Sequence, residues 1–171
     1  MIVAVDRNNG IGYENELLCK LKDDMRHFVK TTKGKTVLMG RNTFTSIGEK
    51  PLKERVNFVC TSKPSLCNFH YRELLEKESD LFFDVPFYFD AIMEENPDQE
   101  FVVIGGAKIY EQYLPKTTRI YMTQIHHAFE NVDTYFPELD LQQWDIVSKE
   151  DYEKNEDNEY SFSILTLERK K

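Results

Sequence analysis

Short runs of β-branched and aromatic residues alternate with amphipathic stretches along all 171 residues. Such alternation is typical of α/β folds, because parallel strands need helical crossovers between them. We therefore predict a mixed, mostly parallel central sheet that is flanked by helices and is followed by a C-terminal antiparallel hairpin. The strands are expected at residues 2–5, 36–39, 56–60, 81–83, 101–104 and 119–125, with the hairpin at 144–149 and 160–167. The helices are expected at 21–30, 42–47, 88–95 and 107–114, with a long loop at 6–20 and a charged helical stretch at 67–80.

The charge balance limits the kinds of partner that the chain can bind. It has 30 Asp and Glu against 22 Lys and Arg, a formal charge of −8, whereas a nucleic-acid surface is basic. The apolar runs are too short to span a membrane. Three scattered cysteines, Cys19, Cys60 and Cys67, predict reduced thiols in the cytoplasm and neither a disulfide framework nor a metal site. We predict one domain over residues 1–171, without a nucleic-acid or membrane partner.

Three of the predicted strands end in residues that suit phosphate. Gly105-Gly106 follows one strand, and glycines let the backbone approach a ligand closely. Gly40-Arg41 follows a second strand and adds a guanidinium, while Thr61-Ser62-Lys63 follows a third and offers two hydroxyls and an ammonium. A Gly-Gly pair taken alone is more often just a tight turn. Three such loops together predict a phosphate-bearing ligand, because ligands of parallel α/β sheets bind beyond the carboxyl ends of the strands.

The helix predicted from Leu21 carries a carboxylate in an unusual place. Leu21, Met25, Phe28 and Val29 form one apolar stripe at helical periodicity, and Asp24 lies at its edge. A carboxylate beside apolar side chains is costly unless a partner binds it, so Asp24 is a candidate for a ligand that donates hydrogen bonds. The alternative is an ordinary acidic residue in the first turn of a helix, where the helix dipole favours it.

The histidines and cysteines are weaker candidates for chemistry. His126-His127 has no third ligand at metal spacing, and His27 and His70 are isolated, so we expect them at the surface. No cysteine has a histidine partner in the sequence that would activate it as a nucleophile.

The motifs occur in an order that resembles the dihydrofolate reductase family, in its bacterial single-domain type. The resemblance runs through nearly the whole chain and is weakest at residues 67–80. The motifs that carry it are Ala4-Val5-Asp6, Ile11-Gly12-Tyr13-Glu14-Asn15, Asp24 with Phe28, Met39-Gly40-Arg41-Asn42-Thr43, Ser46-Ile47-Gly48, Ile104-Gly105-Gly106, Tyr110, Tyr121-Met122-Thr123 and Phe136-Pro137.

The resemblance implies NADPH-dependent reduction of dihydrofolate to tetrahydrofolate, in support of one-carbon and thymidylate metabolism, by a cytoplasmic monomer. It implies that Asp24, supported by Thr123, binds the amino group and ring nitrogen of the pterin, and that Arg55 pairs with the α-carboxylate of the glutamate tail. The other substrate contacts that it implies are Met25, Phe28, Ile47 and Ile104. It further implies that the loop at residues 8–19 closes over the nicotinamide.

The same resemblance implies that the three strand-end loops bind NADPH. Gly105-Gly106 and the helix that follows would lie at the pyrophosphate, and Arg41, Thr61, Ser62 and Lys63 at the 2′-phosphate. The remaining cofactor contacts that it implies are Ala4, Ile11, Gly40, Thr43, Ser46, Ala107, Lys108, Ile109 and Tyr110, with no metal.

Two departures from the family pattern leave alternatives open. Cys19 stands where the family usually carries a tryptophan, so no indole N–H is available there, and the segment before Arg55 lacks the usual Pro-Gly. The alternatives are a reductase of the same fold that acts on a ribosylated pyrimidine in flavin synthesis, and a nucleotide-binding protein with reduced turnover. Asp24 one turn before Phe28 favours the folate substrate.

Overall fold

The computed structural model describes all residues from Met1 to Lys171. The chain divides into two compact units. The first consists of Met1–Thr31 and Tyr110–Lys171, and the second of Thr32–Ile109. The helix at Ala107–Tyr113 begins in the second unit and ends in the first. None of the helices has the length and apolar character needed to cross a membrane.

Ten strands and six α-helices alternate along the chain. The strands are β1 Ile2–Val5, β2 Gly10–Gly12, β3 Thr36–Gly40, β4 Val56–Cys60, β5 Leu81–Asp84, β6 Phe101–Gly105, β7 Arg119–Ile125, β8 Thr134–Tyr135, β9 Trp144–Tyr152 and β10 Phe162–Arg169. The helices are α1 Lys22–Thr32, α2 Arg41–Ser46, α3 Pro64–His70, α4 Arg72–Leu75, α5 Pro86–Glu95 and α6 Ala107–Tyr113. Two 3₁₀ turns lie at Leu114–Lys116 and Leu141–Gln143.

The second unit is built on a parallel sheet with the strand order β5-β4-β3-β6. Strand β3 is central, and Val37, Leu38 and Met39 on it are fully buried, as expected for a strand that is covered on both faces. Because all four strands run in one direction, the loops after β3, β4 and β6 leave the sheet at the same edge. The three predicted phosphate loops therefore share one edge of one sheet.

The first unit contains a mixed sheet with the strand order β1-β7-β10-β9. Strand β1 pairs with β7 in parallel, and β10 pairs antiparallel with both β7 and β9. This pairing places Thr123 of β7 between Ala4 of β1 and Ile164 of β10. Thr123 thus lies in the interior of the sheet, while β9 forms an exposed edge.

Several predicted elements need correction. The loop at residues 6–20 contains the short strand β2, which pairs with β8, a strand that the sequence pattern did not reveal. The hairpin strands β9 and β10 extend beyond the predicted ends, to Tyr152 and Arg169. The two strands stay paired through the polar residues there, where the apolar pattern of the sequence has ended. The charged stretch at 67–80 forms the end of α3, helix α4 and a short connection.

Tyr71, which joins α3 to α4, attaches this stretch to the second unit. Its ring stacks on Phe83 with 4.8 Å between centroids and meets the edge of Phe44 at 5.6 Å. Its hydroxyl donates a hydrogen bond of 2.6 Å to Glu49 Oε1. The stretch is therefore held by an aromatic cluster of Phe44, Tyr71 and Phe83.

We predict that the centre of this cluster carries stability and that the surface of α3 does not. Phe44 is 0% exposed, so Phe44→Ala leaves a cavity and should lower the free energy of unfolding by about 3–5 kcal/mol. Phe69 on α3 is 82% exposed, and Phe69→Ala should change it by less than about 0.5 kcal/mol. Urea denaturation of both variants checks this, and similar losses in the two variants would contradict it.

Candidate active site

Asp24 lies in the first turn of α1 and is bound by a residue of the adjoining sheet. The Thr123 hydroxyl donates a hydrogen bond of 2.5 Å to Asp24 Oδ1. Thr123 is buried in β7, so its side chain is held in place by the strands on either side. The structure thus brings Asp24 and Thr123 together, as the family resemblance implied, and their role in binding stays a prediction.

Burial changes the proton affinity of this carboxyl group. Loss of solvent raises the pKa of Asp24 above its ordinary value, and the hydrogen bond from Thr123 and the charge of His27 act in the opposite direction. A partly buried carboxylate with a raised pKa, one hydrogen bond from the protein and a free oxygen is suited to bind a ligand that carries N–H groups.

The apolar side chains beside Asp24 are not all covered by the protein. Leu21 is buried with Ile125, Phe162 and Ile164, but Met25 is 49% exposed on the next turn of α1. Phe28 is half-buried. The predicted stripe therefore divides into an inner end that belongs to the core and an outer end that offers apolar surface to a flat ligand.

His27 lies one turn after Asp24 and is not at the surface, contrary to the prediction. Its ring meets the edge of Tyr121 at 5.8 Å, and its Nε2 atom is buried without a hydrogen-bond partner from the protein. Desolvation lowers the pKa of His27. The imidazole packs against β7, and a single histidine in a sequence gave no signal of this contact. His70 is exposed as predicted.

Tyr110, at the point where α6 enters the first unit, anchors the start of β1. Its buried hydroxyl donates a hydrogen bond of 2.8 Å to the Ile2 carbonyl, and its ring meets the edge of Phe136 at 5.1 Å. Burial raises its pKa, so the phenol stays protonated. The hydroxyl of Tyr110 therefore serves the fold, and its predicted contact with the cofactor stays a prediction.

The loop after β1 is shaped by Asp6. The buried Asp6 carboxylate accepts hydrogen bonds from the backbone N–H groups of Asn8 at 2.8 Å and Gly10 at 2.7 Å through Oδ1, and from Phe129 at 3.0 Å through Oδ2. Further along this loop, Glu14 N donates to Asp133 Oδ2 at 2.8 Å. The loop is thus attached at both ends of β2, where Ile11 is half-buried.

Two glycines shape the loop after β6. Gly105 has a φ of +142°, a backbone conformation that favours glycine, and the Gly105-Gly106 peptide bond is cis. A Cβ atom on Gly106 would lie 3.3 Å from Thr43 Oγ1, so the cradle between this loop and α2 would be narrowed by any side chain. The geometry fits a pyrophosphate that approaches the backbone closely. Ala107 follows as the first residue of α6.

The cations and hydroxyls at the same edge of the sheet differ in availability. Arg41, Ser62, Lys63 and Lys108 are exposed. Thr61 is buried, and its Oγ1 already accepts a hydrogen bond of 3.1 Å from the backbone of Lys63. Thr61 therefore stabilises the conformation of the loop after β4. The exposed side chains of Arg41, Ser62, Lys63 and Lys108 can approach an anion. Two further predicted cofactor contacts are already engaged within the protein. The Ser46 hydroxyl donates a hydrogen bond of 2.7 Å to the Thr43 carbonyl, and the Ile109 side chain is buried.

Arg55 is held in a defined orientation although the Pro-Gly of the family is missing. Its Nε donates to the Thr32 hydroxyl at 3.1 Å and its Nη1 to the Lys53 carbonyl at 2.6 Å. The buried Asn57 side chain brackets the loop, with Leu52 N at 2.8 Å from Oδ1 and the carbonyls of Leu52 and Arg55 each at 2.9 Å from Nδ2. Asn57 was missed by the sequence analysis. The only signal was a polar residue inside a predicted buried strand.

Cys19 is partly buried and packs against the core of the first unit. Burial, together with the charges of Glu159 and Asp24, raises the pKa of this thiol to about 12. It is protonated at neutral pH, and the prediction of an unreactive cysteine agrees with this. None of the three cysteines forms a disulfide.

Comparison with known proteins identifies the family. The family model described as dihydrofolate reductase matches residues 1–169. The dihydrofolate reductase of Bacillus subtilis is 40% identical over 169 residues, which cover 99% of this chain and 93% of that protein. The chain belongs to the dihydrofolate reductase family. The dihydrofolate reductase of Haemophilus influenzae is 36% identical, over 99% of this chain and 98% of that protein.

A solved structure shows the same fold. It is dihydrofolate reductase from Enterococcus faecalis complexed with NADP(H) and RAB-propyl, with a TM-score of 0.83 and 28% sequence identity over 99% of this chain and 95% of that chain. The predicted fold class, family and oxidoreductase class are thereby confirmed. The roles of individual site residues in the dihydrofolate reductase family pattern remain predictions.

The raised pKa of Asp24 predicts a particular dependence of stability on pH. Because the folded-state pKa lies above the unfolded-state value, the stability associated with this group is fully present in acid and is lost as pH rises through the folded-state pKa. Asp24→Asn has no charge to bury, so it should be more stable than the parent protein at neutral pH, and the difference should close in acid.

Urea denaturation of both proteins over a series of pH values measures this difference. Asp157→Asn is a matched control with the opposite sign, because the Asp157 pKa is lowered by the hydrogen bond and charge of Lys22. That variant should lose stability relative to the parent at neutral pH and not in acid. A difference for Asp24→Asn that grows toward acid would contradict the prediction.

Proposed function

We propose that this protein reduces dihydrofolate to tetrahydrofolate by hydride transfer from NADPH. The observation that carries the proposal is the partly buried Asp24 carboxylate, bound on one side by the Thr123 hydroxyl and bordered by the exposed Met25. This arrangement provides an acceptor for N–H groups next to apolar surface, which is what a pterin with an aryl tail requires. Membership of the family supports the choice of substrate.

On the substrate side, the chain binds and orients rather than forming a covalent bond. We assign to Asp24 the amino group and ring nitrogen of the pterin, with Thr123 holding the carboxylate in place. Met25 and Phe28 would pack on the pterin and the aminobenzoyl ring. Arg55, whose guanidinium is already oriented by Thr32 and Lys53, would pair with the α-carboxylate of the glutamate tail.

The reaction also needs a proton at N5 of the pterin. Asp24 favours its uptake by placing negative charge near the ring, and we assign delivery of the proton to water. The loop at residues 8–19 would exclude bulk solvent when ligands are bound. No residue of the chain has to act as a covalent nucleophile, which agrees with the protonated Cys19.

On the cofactor side, bound NADPH supplies the hydride for C6 of the pterin. The strand-end loops of the second unit suit its phosphates. Gly106 has no side chain and leaves space beside Thr43. Arg41, Ser62 and Lys63 are exposed on the loops that leave the sheet at the same edge. With a total charge of −8, these few cations concentrate positive charge where the 2′-phosphate would bind.

The other predicted roles rest on the resemblance alone. They are the substrate contacts Ile47 and Ile104, and the cofactor contacts Ala4, Ile11, Gly40, Ser46, Thr61, Ala107, Lys108, Ile109 and Tyr110. One functional domain over residues 1–171, a monomeric state and a cytoplasmic location likewise stay predictions. The alternative of a pyrimidine reductase of the same fold finds no support, because the family model and the curated relatives are dihydrofolate reductases.

Turnover with dihydrofolate tests the function and the role of Asp24 together. The parent protein should consume NADPH when dihydrofolate is added, as followed by NADPH absorbance. Asp24→Asn should lower turnover at neutral pH by about a hundredfold or more and leave NADPH affinity nearly intact. Glu111→Gln, which neutralises an exposed carboxylate on α6, should behave like the parent.

The outcomes separate the alternatives. NADPH binding without turnover would favour a nucleotide-binding protein, and turnover with a ribosylated pyrimidine would favour the flavin-pathway reductase. Unchanged turnover in Asp24→Asn would remove Asp24 from the site.

The preference for NADPH over NADH tests the phosphate loops. Removing a charged hydrogen-bond partner of phosphate is worth about 1.5–3 kcal/mol, so Arg41→Ala should weaken NADPH binding by roughly tenfold to a hundredfold and leave NADH binding nearly unchanged. Arg72→Ala on α4, whose arginine pairs with Glu76, is the control and should affect neither. Equal losses for both cofactors in Arg41→Ala would exclude Arg41 from the 2′-phosphate site.

A further inference from the structure

The tip of the β9–β10 hairpin, residues 155–159, holds the start of helix α1. Lys22 N, the first amide of the helix, donates a hydrogen bond of 3.0 Å to the Asp157 carbonyl. Leu21, directly before the helix, forms an isolated antiparallel bridge with Asn158. A distant segment of the chain thus binds the backbone immediately before Asp24.

Asn158 is the central residue of this contact. It is 0% exposed, and both ends of its amide are used. Oδ1 accepts a hydrogen bond of 3.2 Å from Asp23 N, and Nδ2 donates one of 2.8 Å to Asp23 Oδ2 and one of 3.2 Å to Asn155 Oδ1. Asp23 and Asn158 are 135 positions apart in the chain.

Helix α1 has no capping residue of its own. The first amides of a helix have no partner within it, and Ser, Thr, Asp or Asn directly before the helix normally accepts from one of them. Here Leu21 stands at that position and has no side-chain acceptor. Asn158 fills this role from another part of the chain, because its Oδ1 accepts from the second amide of the helix.

The two adjacent carboxylates of α1 have different environments as a result. Asp23 is held by Asn158 and forms an ion pair of 2.6 Å with Arg26, whereas Asp24 points to Thr123. The two residues share one peptide unit. A rotation of the first turn that released Asp23 would therefore also move the Asp24 carboxylate away from the Thr123 hydroxyl.

We propose that Asn158 is a positioning residue for Asp24: by capping α1 and binding Asp23, it fixes the first turn so that the Asp24 carboxylate meets Thr123. Asn158 itself touches neither ligand in this scheme. The proposal rests on the function proposed above, in which Asp24 binds the pterin. It adds a residue near the C-terminal end of the chain to the machinery of the substrate site.

Asn158→Asp tests the proposal, because it keeps the shape of the side chain and reverses one interaction. The new carboxylate would repel Asp23 instead of donating to it. Since small displacements of a catalytic group cost up to about a hundredfold, we expect kcat to fall by roughly tenfold or more and KM for dihydrofolate to rise. The dissociation constant for NADPH, measured by fluorescence titration, should change by less than about twofold, because Asn158 is assigned to no cofactor contact.

The pair can be restored by exchanging its members. In the double variant Asp23→Asn/Asn158→Asp, the amide at position 23 donates to the carboxylate at position 158, so at least half of the lost kcat should return. Asp157→Asn is the control within the same turn: it removes exposed ion pairs with Lys22 and Arg26 and leaves the Asn158 contacts in place. It should keep the kcat of the parent protein.

A second measurement keeps the test independent of turnover. Carbon NMR of the Asp24 carboxyl, assigned with Asp24→Asn, follows its titration in each variant. Loosening of the Thr123 hydrogen bond in Asn158→Asp should shift that titration upward, because this bond lowers the Asp24 pKa. If Asn158→Asp is poorly folded, Asn158→Ala, which removes the cap and the bond to Asp23 without adding charge, should shift the titration in the same direction.

The outcomes distinguish the two proposals. No turnover by the parent protein with dihydrofolate would overturn the proposed function, whereas the NMR titration would still report on Asn158. Turnover by the parent with an unchanged kcat and titration in Asn158→Asp would overturn the positioning role. A loss of kcat that the exchanged pair does not recover, with NADPH affinity lost in parallel, would also overturn it and assign Asn158 to general stability.

Discussion

The hydrogen bond from Thr123 to Asp24 is the contact on which the substrate side of this molecule depends. A carboxylate that leaves bulk water loses hydration, and few local contacts replace it. Thr123 meets that need from the inside of a four-stranded sheet, flanked by Ala4 and Ile164. The position of one acidic side chain thus depends on the register of three strands. Any change in that register would leave the carboxylate without its partner.

The repeating pattern of apolar residues was sufficient to predict the elements that are defined by their own sequence. Strands such as β3 and β6 are continuous apolar runs, and a glycine at the end of each run marks where the strand stops. Asp24 could be found as well, because a carboxylate at the edge of an apolar stripe conflicts with helical periodicity. These features are local, and local physics is enough to find them.

What could not be predicted depends on residues that are distant in the sequence. Asn57 braces the Arg55 loop and Asn158 caps α1, and in each case the sequence shows only an asparagine near a strand or turn. The position of His27 against Tyr121 is of the same kind. The segment before Arg55 lacks the usual Pro-Gly, and hydrogen bonds of the Asn57 side chain hold that loop. A side-chain amide has no preferred periodicity, so its partner is defined only by the fold.

The capping of α1 by Asn158 has a consequence for the order in which the molecule can be completed. On the ribosome, residues 21–32 emerge long before the hairpin that contains Asn158 has been made. During that interval the first turn of the helix is uncapped, and β7 lacks β10, one of the two strands that flank Thr123. The proposed pterin site around Asp24 and Thr123 is therefore complete only after β10 has joined the sheet.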